Sequence, residues 1–227
     1  MTKKDKAKEL WNLSFQDSKE FTELYFKERY TDDNTVILED GTQMTAMLQL
    51  LPYPFKFLKQ TVDTRYISGA CTHPNFRNKG VMHKLLLKSF KHLQENNIPL
   101  CTLIPAEEWL FDYYRKSGFE TIFYNSSYHI EVPKYDQDSN VVVTFNDEFN
   151  EDSYAYIHAK MKKRSASILH TIEDFQVILA DLRLANGQVF TARIKREVVG
   201  VALAYFNQQD QVVYINEILS RDICINQ

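Results

Sequence analysis

The sequence predicts a mixed α/β fold, an α+β mixed sheet in two successive halves. Three observations carry this: an Asp40-Gly41 pair between two apolar stretches, a strand–helix–strand–helix order between Thr61 and Gly118, and a polar break at residues 133–140 followed by further strands and helices. Asp-Gly flanked by β-branched and apolar residues signals a tight hairpin, and strands alternating with amphipathic helices imply parallel pairing. The composition, 44% hydrophobic and 25% charged in 227 residues, is that of an ordinary globular chain able to form one large domain or two modest ones.

The elements follow in order. Residues 4–13 carry helix-forming charges with Leu10, Trp11 and Leu13, and Asp17-Ser18 caps a second helix through Tyr30, in which Phe21, Leu24, Tyr25 and Glu28 keep helical spacing. Thr35 to Leu38 and Met44 to Leu51 read as the two hairpin strands. Pro52 and Pro54 interrupt the run, after which Phe55 to Leu58 and Thr61 to Thr72 read as another hairpin leading into a long strand. From Gly80 to Asn96 the period changes: Met82, Leu85, Leu86, Ser89, Phe90 and Leu93 line one helix face, with Lys84, Lys88 and Lys91 opposite. Ile98 to Ile104 is a short strand, Ala106 to Ser117 a helix stopped by Gly118, and Phe119 to Val132 reads as closing strands. Pro133 to Asn140 looks like a linker, which puts one domain at 1–134 and a second at 141–227. The second half reads as a strand at Val141 to Phe145, helices near Asp152 to Arg164 and Ile172 to Leu184, and strands at Gln188 to Lys195, Val198 to Phe206 and Gln211 to Leu219. Its element order repeats that of the first half without a residue-level repeat, and it stops early.

Charge and cysteines narrow the function classes. Lys and Arg total 27 against 30 Asp and Glu, a net charge of -3, which lacks the footprint of a dedicated nucleic-acid binder. The run Lys160-Met161-Lys162-Lys163-Arg164 suits a helix C-terminus and is assigned no function. Met1 to Lys8 is charged and precedes no apolar run of signal-peptide or membrane-span length, so a cytoplasmic protein without a membrane partner is expected. Cys71, Cys101 and Cys224 have no Cys-x-x-Cys spacing, so neither a disulfide framework nor a metal site is indicated.

The most informative stretch is Ile67-Ser68-Gly69-Ala70-Cys71-Thr72-His73-Pro74-Asn75-Phe76-Arg77-Asn78-Lys79-Gly80-Val81-Met82, a strand running into a basic, glycine-containing turn and then a helix. A helix's first turn has unpaired N–H groups and a partial positive charge, so a turn that exposes them makes a phosphate pocket. The amides of Asn78 through Met82 would do more to hold a pyrophosphate than the side chains of Arg77 and Lys79. On spacing alone, an ordinary solvated loop fits these residues as well.

Arg77-x-x-Gly80-x-Met82 after a strand resembles the acetyl-CoA loop of the GNAT acetyltransferases, which usually reads Arg or Gln, two residues, Gly, one residue, then Gly or Ala. Met82 departs from the last position. The larger residue there, with Thr72-His73-Pro74 ahead of it, is similar to the bacterial branch that includes the enhanced-intracellular-survival acetyltransferases. Trp109-Leu110-Phe111-Asp112-Tyr113-Tyr114-Arg115-Lys116-Ser117-Gly118-Phe119 resembles the GNAT helix ending in Tyr-x-x-x-Gly-Phe, with Tyr114 in the tyrosine position. The stretch Glu9-Leu10-Trp11 to Phe26 is similar to bacterial members of that branch, and the resemblance covers residues 7 to about 132.

The resemblance implies a GNAT fold followed by a partial GNAT-like half, with acetyl-CoA as cosubstrate. It implies that the backbone at Ala70, Cys71 and Thr72 holds the pantetheine arm, and that Arg77, Asn78, Lys79, Gly80, Val81 and Met82 hold the pyrophosphate. Tyr114 is implied as the general acid for the departing thiolate, with Tyr113 one residue out of register. Its unperturbed pKa near ~10 keeps it protonated at neutral pH. Against this, Leu110, Tyr113 and Tyr114 also fit a core face, Cys71 fits a structural thiol, Glu107 and Glu108 fit a helix start better than the role of a base, and His73 fits a packing or turn role as well as that of a base. The expected activity is N-acetyl transfer to a small-molecule or protein amine. The alternative is a catalytically silent acyl-CoA-binding or interaction module. The incomplete second sheet leaves an edge open to a homodimer contact.

Overall fold

A computed structural model describes residues 1–124, 127–131 and 141–221. The chain divides into two compact units, one of residues 1–16, 30–52 and 63–136, the other of 17–29, 53–62 and 137–227.

In the first unit, α1 (Lys3–Ser14) starts from a capping box in which Thr2 and Asp5 bond each other's backbone N–H groups. Strand β1 (Thr35–Asp40) pairs antiparallel with β2 (Gln43–Phe57), closing at Asp40 opposite Gln43, as the Asp-Gly signal requires. Next come β3 (Gln60–Thr72), a 3-10 turn (Pro74–Phe76), α3 (Val81–Glu95), β4 (Leu100–Thr102) and α4 (Glu108–Arg115). The sheet order is β1-β2-β3-β4, with β4 parallel to β3, the pairing expected of a strand–helix–strand unit. Its core joins Val36, Ala46, Leu48, Leu50 and Ile67 to Leu85, Leu86 and Leu93 of α3. Leu85 and Leu86 are fully buried, and each contributes about 1.5–3 kcal/mol to holding α3 on the sheet.

The second unit takes α2 (Lys19–Glu28), capped by Ser18, together with β5 (Val141–Asn146), α5 (Glu151–Lys163), β6 (Ala166–Ile168), α6 (Ile172–Leu184), β7 (Gln188–Ile194), β8 (Glu197–Asn207) and β9 (Val212–Ser220). Its sheet is antiparallel in the order β5-β7-β8-β9, packed on Ile157, Met161, Phe175, Leu179 and Leu182 of the two helices. A buried ion pair between Arg29 and Asp174 fastens the end of α2 to α6, where Asp174 also completes the capping box with Thr171. The basic run at the end of α5 is used structurally: Lys160 donates to the Ser220 carbonyl at 2.6 Å, and Arg164 pairs with Glu217 at 2.9 Å. No helix among the described residues is long and apolar enough to cross a membrane.

Two expectations need correction, and one strand goes beyond them. Pro52 and Pro54 do not interrupt the strand, since β2 runs unbroken to Phe57. A proline removes only the bond its nitrogen would donate, and the Pro54 carbonyl still accepts from the Leu169 N–H at 2.8 Å. Strand β6 was not legible: it is three residues long and takes its ladder from Phe55–Phe57 of β2, far away in sequence. Residues 119–124 and 127–131 form no strand, and Ile122, Phe123, Tyr124, Tyr128 and Ile130 are 52–84% exposed. Strand propensity without a ladder partner does not make a strand, and the three-residue β4 offers little edge to pair with. The expected linker, Pro133 to Asn140, and Cys224 lie outside the described residues.

Candidate active site

Strands β3 and β4 run parallel through three pairs, Thr64–Leu100, Arg65–Cys101 and Tyr66–Thr102. There β4 ends, while β3 continues to Thr72. Residues 67–72, which include Ala70, Cys71 and Thr72, therefore have no β4 partner among the described residues. A strand edge past the end of its neighbour is where an extended ligand can add by backbone pairing. Gly69 sits in this length with φ +58°, and a Cβ there would lie 2.3 Å from Cζ3 of Trp11 and 2.9 Å from Oε1 of Gln49. Only a bare backbone passes between those side chains.

Cys71 is buried, and burial pushes its thiol up to about 12, against smaller opposing effects of the Ser14 hydroxyl and Arg77. A thiol held protonated is a poor nucleophile. Cys71→Ala should therefore keep turnover within a few-fold of the parent in a thiol-release assay.

The turn after β3 is built by His73. Its N–H donates to the Thr45 carbonyl at 2.9 Å, and its Nδ1 accepts from the Asn75 N–H at 3.2 Å. Its Nε2 lies 3.1 Å from the side-chain amide nitrogen of Gln43. Both ring nitrogens are thus spent on the turn rather than on base chemistry. Arg77 Nε donates to the Thr72 carbonyl at 3.2 Å, and Lys79 Nζ to the Asn75 carbonyl at 2.9 Å. Asn78 and Gly80 take left-handed backbone angles, φ +60° and +71°.

Gly80 is the N-cap of α3 and supplies no side-chain cap, and the first intrahelical bond is Lys84 N–H to the Gly80 carbonyl at 3.1 Å. The N–H groups of Val81, Met82 and His83 precede that bond, so they are the helix's orphan donors. A Cβ built on Gly80 meets nothing within 4 Å, which leaves room for an anion at the positive end of the helix. The side chains of Val81 and Met82 pack against the core, so the large residue at 82 anchors the first turn instead of blocking it. These residues fit the diphosphate of acetyl-CoA: free amides, a helix N-terminus, two nearby cations and open space.

Helix α4 carries Tyr114 and stops in a Schellman arrangement. Phe119 N–H reaches the Tyr114 carbonyl at 3.2 Å and Gly118 N–H the Arg115 carbonyl at 3.0 Å, with Gly118 at φ +96°. This stop brings the Phe119 ring to 5.7 Å from that of Tyr114 and 5.7 Å from Phe90 of α3. The Tyr-x-x-x-Gly-Phe spacing is thus a device that fixes the tyrosine ring. His83 Nδ1 approaches Ser117 Oγ at 3.4 Å, a second link between the start of α3 and this motif. Burial pushes the Tyr114 phenol up to about 12, with Tyr113 and Tyr66 as smaller causes, and its hydroxyl has no hydrogen-bond partner among the described residues. Tyr66, the last β3 residue paired to β4, was not singled out from the sequence, where one aromatic in a strand carries no signal. Phe119→Ala should release the Tyr114 ring and lower kcat about 10-fold, with acetyl-CoA affinity unchanged by calorimetry.

Glu107 and Glu108 open α4 as expected of acidic residues there, and the Glu107 carboxylate accepts from the Trp109 indole.

Comparisons with known proteins agree with this geometry. The profile of the acetyltransferase (GNAT) domain matches residues 2–122, more than half of the chain. A GCN5-related N-acetyltransferase from Anabaena variabilis superposes with a TM-score of 0.72 at 16% identity, over 95% of this chain and 56% of that one. One from Kribbella flavida gives 0.66 at 14%, over 96% and 54%, and Eis1 from Mycobacterium abscessus 0.64 at 5%, over 95% and 56%. At these identities the likeness is one of fold, and the chain spans a little over half the length of each. No curated protein sequence matches this one. The match to the domain profile and the fold agree: this chain belongs to the GNAT acetyltransferases.

Proposed function

We propose that the chain is an N-acetyltransferase that moves an acetyl group from acetyl-CoA directly to an amine, on a small molecule or a protein. The observation that carries this is the junction of the two motifs: the uncapped α3 N-terminus and the Tyr114 helix meet through His83–Ser117 and Phe90–Phe119. Bound acetyl-CoA supplies an activated thioester. The amides of Val81, Met82 and His83, with Asn78, Arg77 and Lys79 around them, hold the pyrophosphate, while the edge at Ala70, Cys71 and Thr72 orients the pantetheine arm. As the amine nitrogen bonds to the acyl carbon and the C–S bond breaks, the Tyr114 hydroxyl donates a hydrogen bond to the departing sulfur, the amine's surplus proton leaves to water, and any proton Tyr114 passes to the thiolate is returned to it from water. The transferase domain is taken as residues 1–134, and 141–227 as a partial second copy without a cofactor turn. Thr72-His73-Pro74 and Met82 support the enhanced-intracellular-survival branch as the nearest within the family.

The test is a panel of amines incubated with acetyl-CoA and the protein, following free thiol. At least one amine should raise thiol release above the amine-free rate. A protein that retains coenzyme A yet shows no amine-dependent release from any acceptor would be the silent binding module.

A further inference from the structure

The second unit holds a cavity of about 180 Å³, lined by α5, α6, β8, β9 and the segment before α6. A space of this order accepts a molecule of roughly benzene size or a little larger. Its walls are apolar, from Ile157 and Met161 of α5, Phe175 and Ile178 of α6, and Leu203 of β8. Its polar groups are His170, Asp181, Glu217 and Asn216, the last being the extra residue of the β9 bulge, where Leu203 pairs with Glu217 and Ala204 with Ile215.

The charges at this cavity do not balance. Glu217 is held by Arg164, and the nearby Asp174 by Arg29. Asp181 is exposed at the rim of the cavity, its carboxylate has no ion-pair or hydrogen-bond partner among the described residues, and its partial desolvation, with the Asp17 carboxylate nearby, raises its pKa. His170 keeps Nδ1 buried without a hydrogen-bond partner, and burial holds its imidazole below the ordinary range, so the ring is neutral. An uncompensated carboxylate and an idle imidazole nitrogen thus border an apolar well. The buried Nδ1 of His170 is costly without a partner, and a ligand N–H relieves it, while the Asp181 carboxylate at the rim offers a counterion to positive charge.

We propose that this cavity is a binding site for a small primary amine with an aromatic or branched aliphatic body, its ammonium on the Asp181 carboxylate and its body against Phe175 and Leu203. Every residue that lines the cavity belongs to the second unit, whereas the Gly80 turn belongs to the first. The amine class follows from charge and the body from the apolar walls. Neutral apolar molecules of the same size would fill the space and leave the carboxylate unmatched.

The experiment is calorimetry on the full chain without acetyl-CoA, with 2-phenylethylamine as probe and 2-phenylethanol as its neutral counterpart. The amine should bind one to one, about tenfold more tightly than the alcohol. Asp181→Asn, on the half-exposed face of α6, should weaken the amine about tenfold and leave the alcohol unchanged. Leu203→Phe should weaken both by filling the well. Gly80→Asp should leave the titration as it is, which separates this site from the cofactor reading. Equal affinity for amine and alcohol, an unchanged amine affinity in Asp181→Asn, or no binding of either probe up to its solubility would overturn the proposal.

Discussion

Replacing Tyr114 with Phe should lower kcat about 10²–10³-fold while leaving the affinity for acetyl-CoA nearly unchanged. A departing thiolate gains charge only as the acyl group leaves, so a hydroxyl aimed at it stabilises the transition state more than the ground state. The ring of Tyr114 is held by Phe119 and Tyr113 whether or not it carries the hydroxyl, and Phe keeps those contacts. A phenol pushed up to about 12 is a weak acid for a thiolate, so it acts first as a hydrogen-bond donor, and the loss should resemble that of an oxyanion donor. The acid form is the active one and its folded pKa is raised, so Tyr114 should impose no fall in rate with rising pH until well above neutrality. Tyr113→Phe serves as the control, with little change in turnover. Steady-state kinetics with calorimetry checks all three; full turnover in Tyr114→Phe with loss in Tyr113→Phe would mean the register is wrong.

Gly80→Asp should weaken acetyl-CoA about 10²–10³-fold. Nothing lies within 4 Å of a Cβ built at Gly80, and Asp tolerates left-handed angles better than most residues. The folded protein therefore meets no clash, and the effect isolates a negative charge placed beside the pyrophosphate. At about 4 Å and an effective dielectric constant near 20, one like-charge contact costs about 4 kcal/mol, or roughly three decades in affinity before screening. Arg77→Ala should cost only a few-fold, because its exposed guanidinium is one contact among several backbone donors and its Nε is committed to the Thr72 carbonyl. Equal affinity of Gly80→Asp and parent would remove the turn from the site.

What the sequence disclosed and what it hid have physical reasons. Helix α6 was legible to its end residues, because Thr171 and Asp174 form a local capping box and the apolar spacing is regular. The β1–β2 hairpin and the turn at Gly80 are likewise local. Strand β6 and the continuity of β2 through its prolines depend on a partner far away in the chain, which no window of residues contains. Residues 119–124 and 127–131 carried a strand-like composition but no ladder partner. At the candidate site, the Gly80 turn and the Tyr114 helix were each legible as motifs. Their junction through His83, Ser117, Phe90 and Phe119, and the nearness of Tyr66, required the fold.

A single-turnover reaction, with enzyme in excess over acetyl-CoA and an amine found active in the panel, tests the central claim most directly. Quenched samples would be read by mass spectrometry for acetylated amine, acetylated protein and free thiol. Amide and thiol should rise together at one rate, with no acetylated protein accumulating. An acetyl group that appears first on the protein chain, or thiol release with no amide formed, would contradict direct transfer.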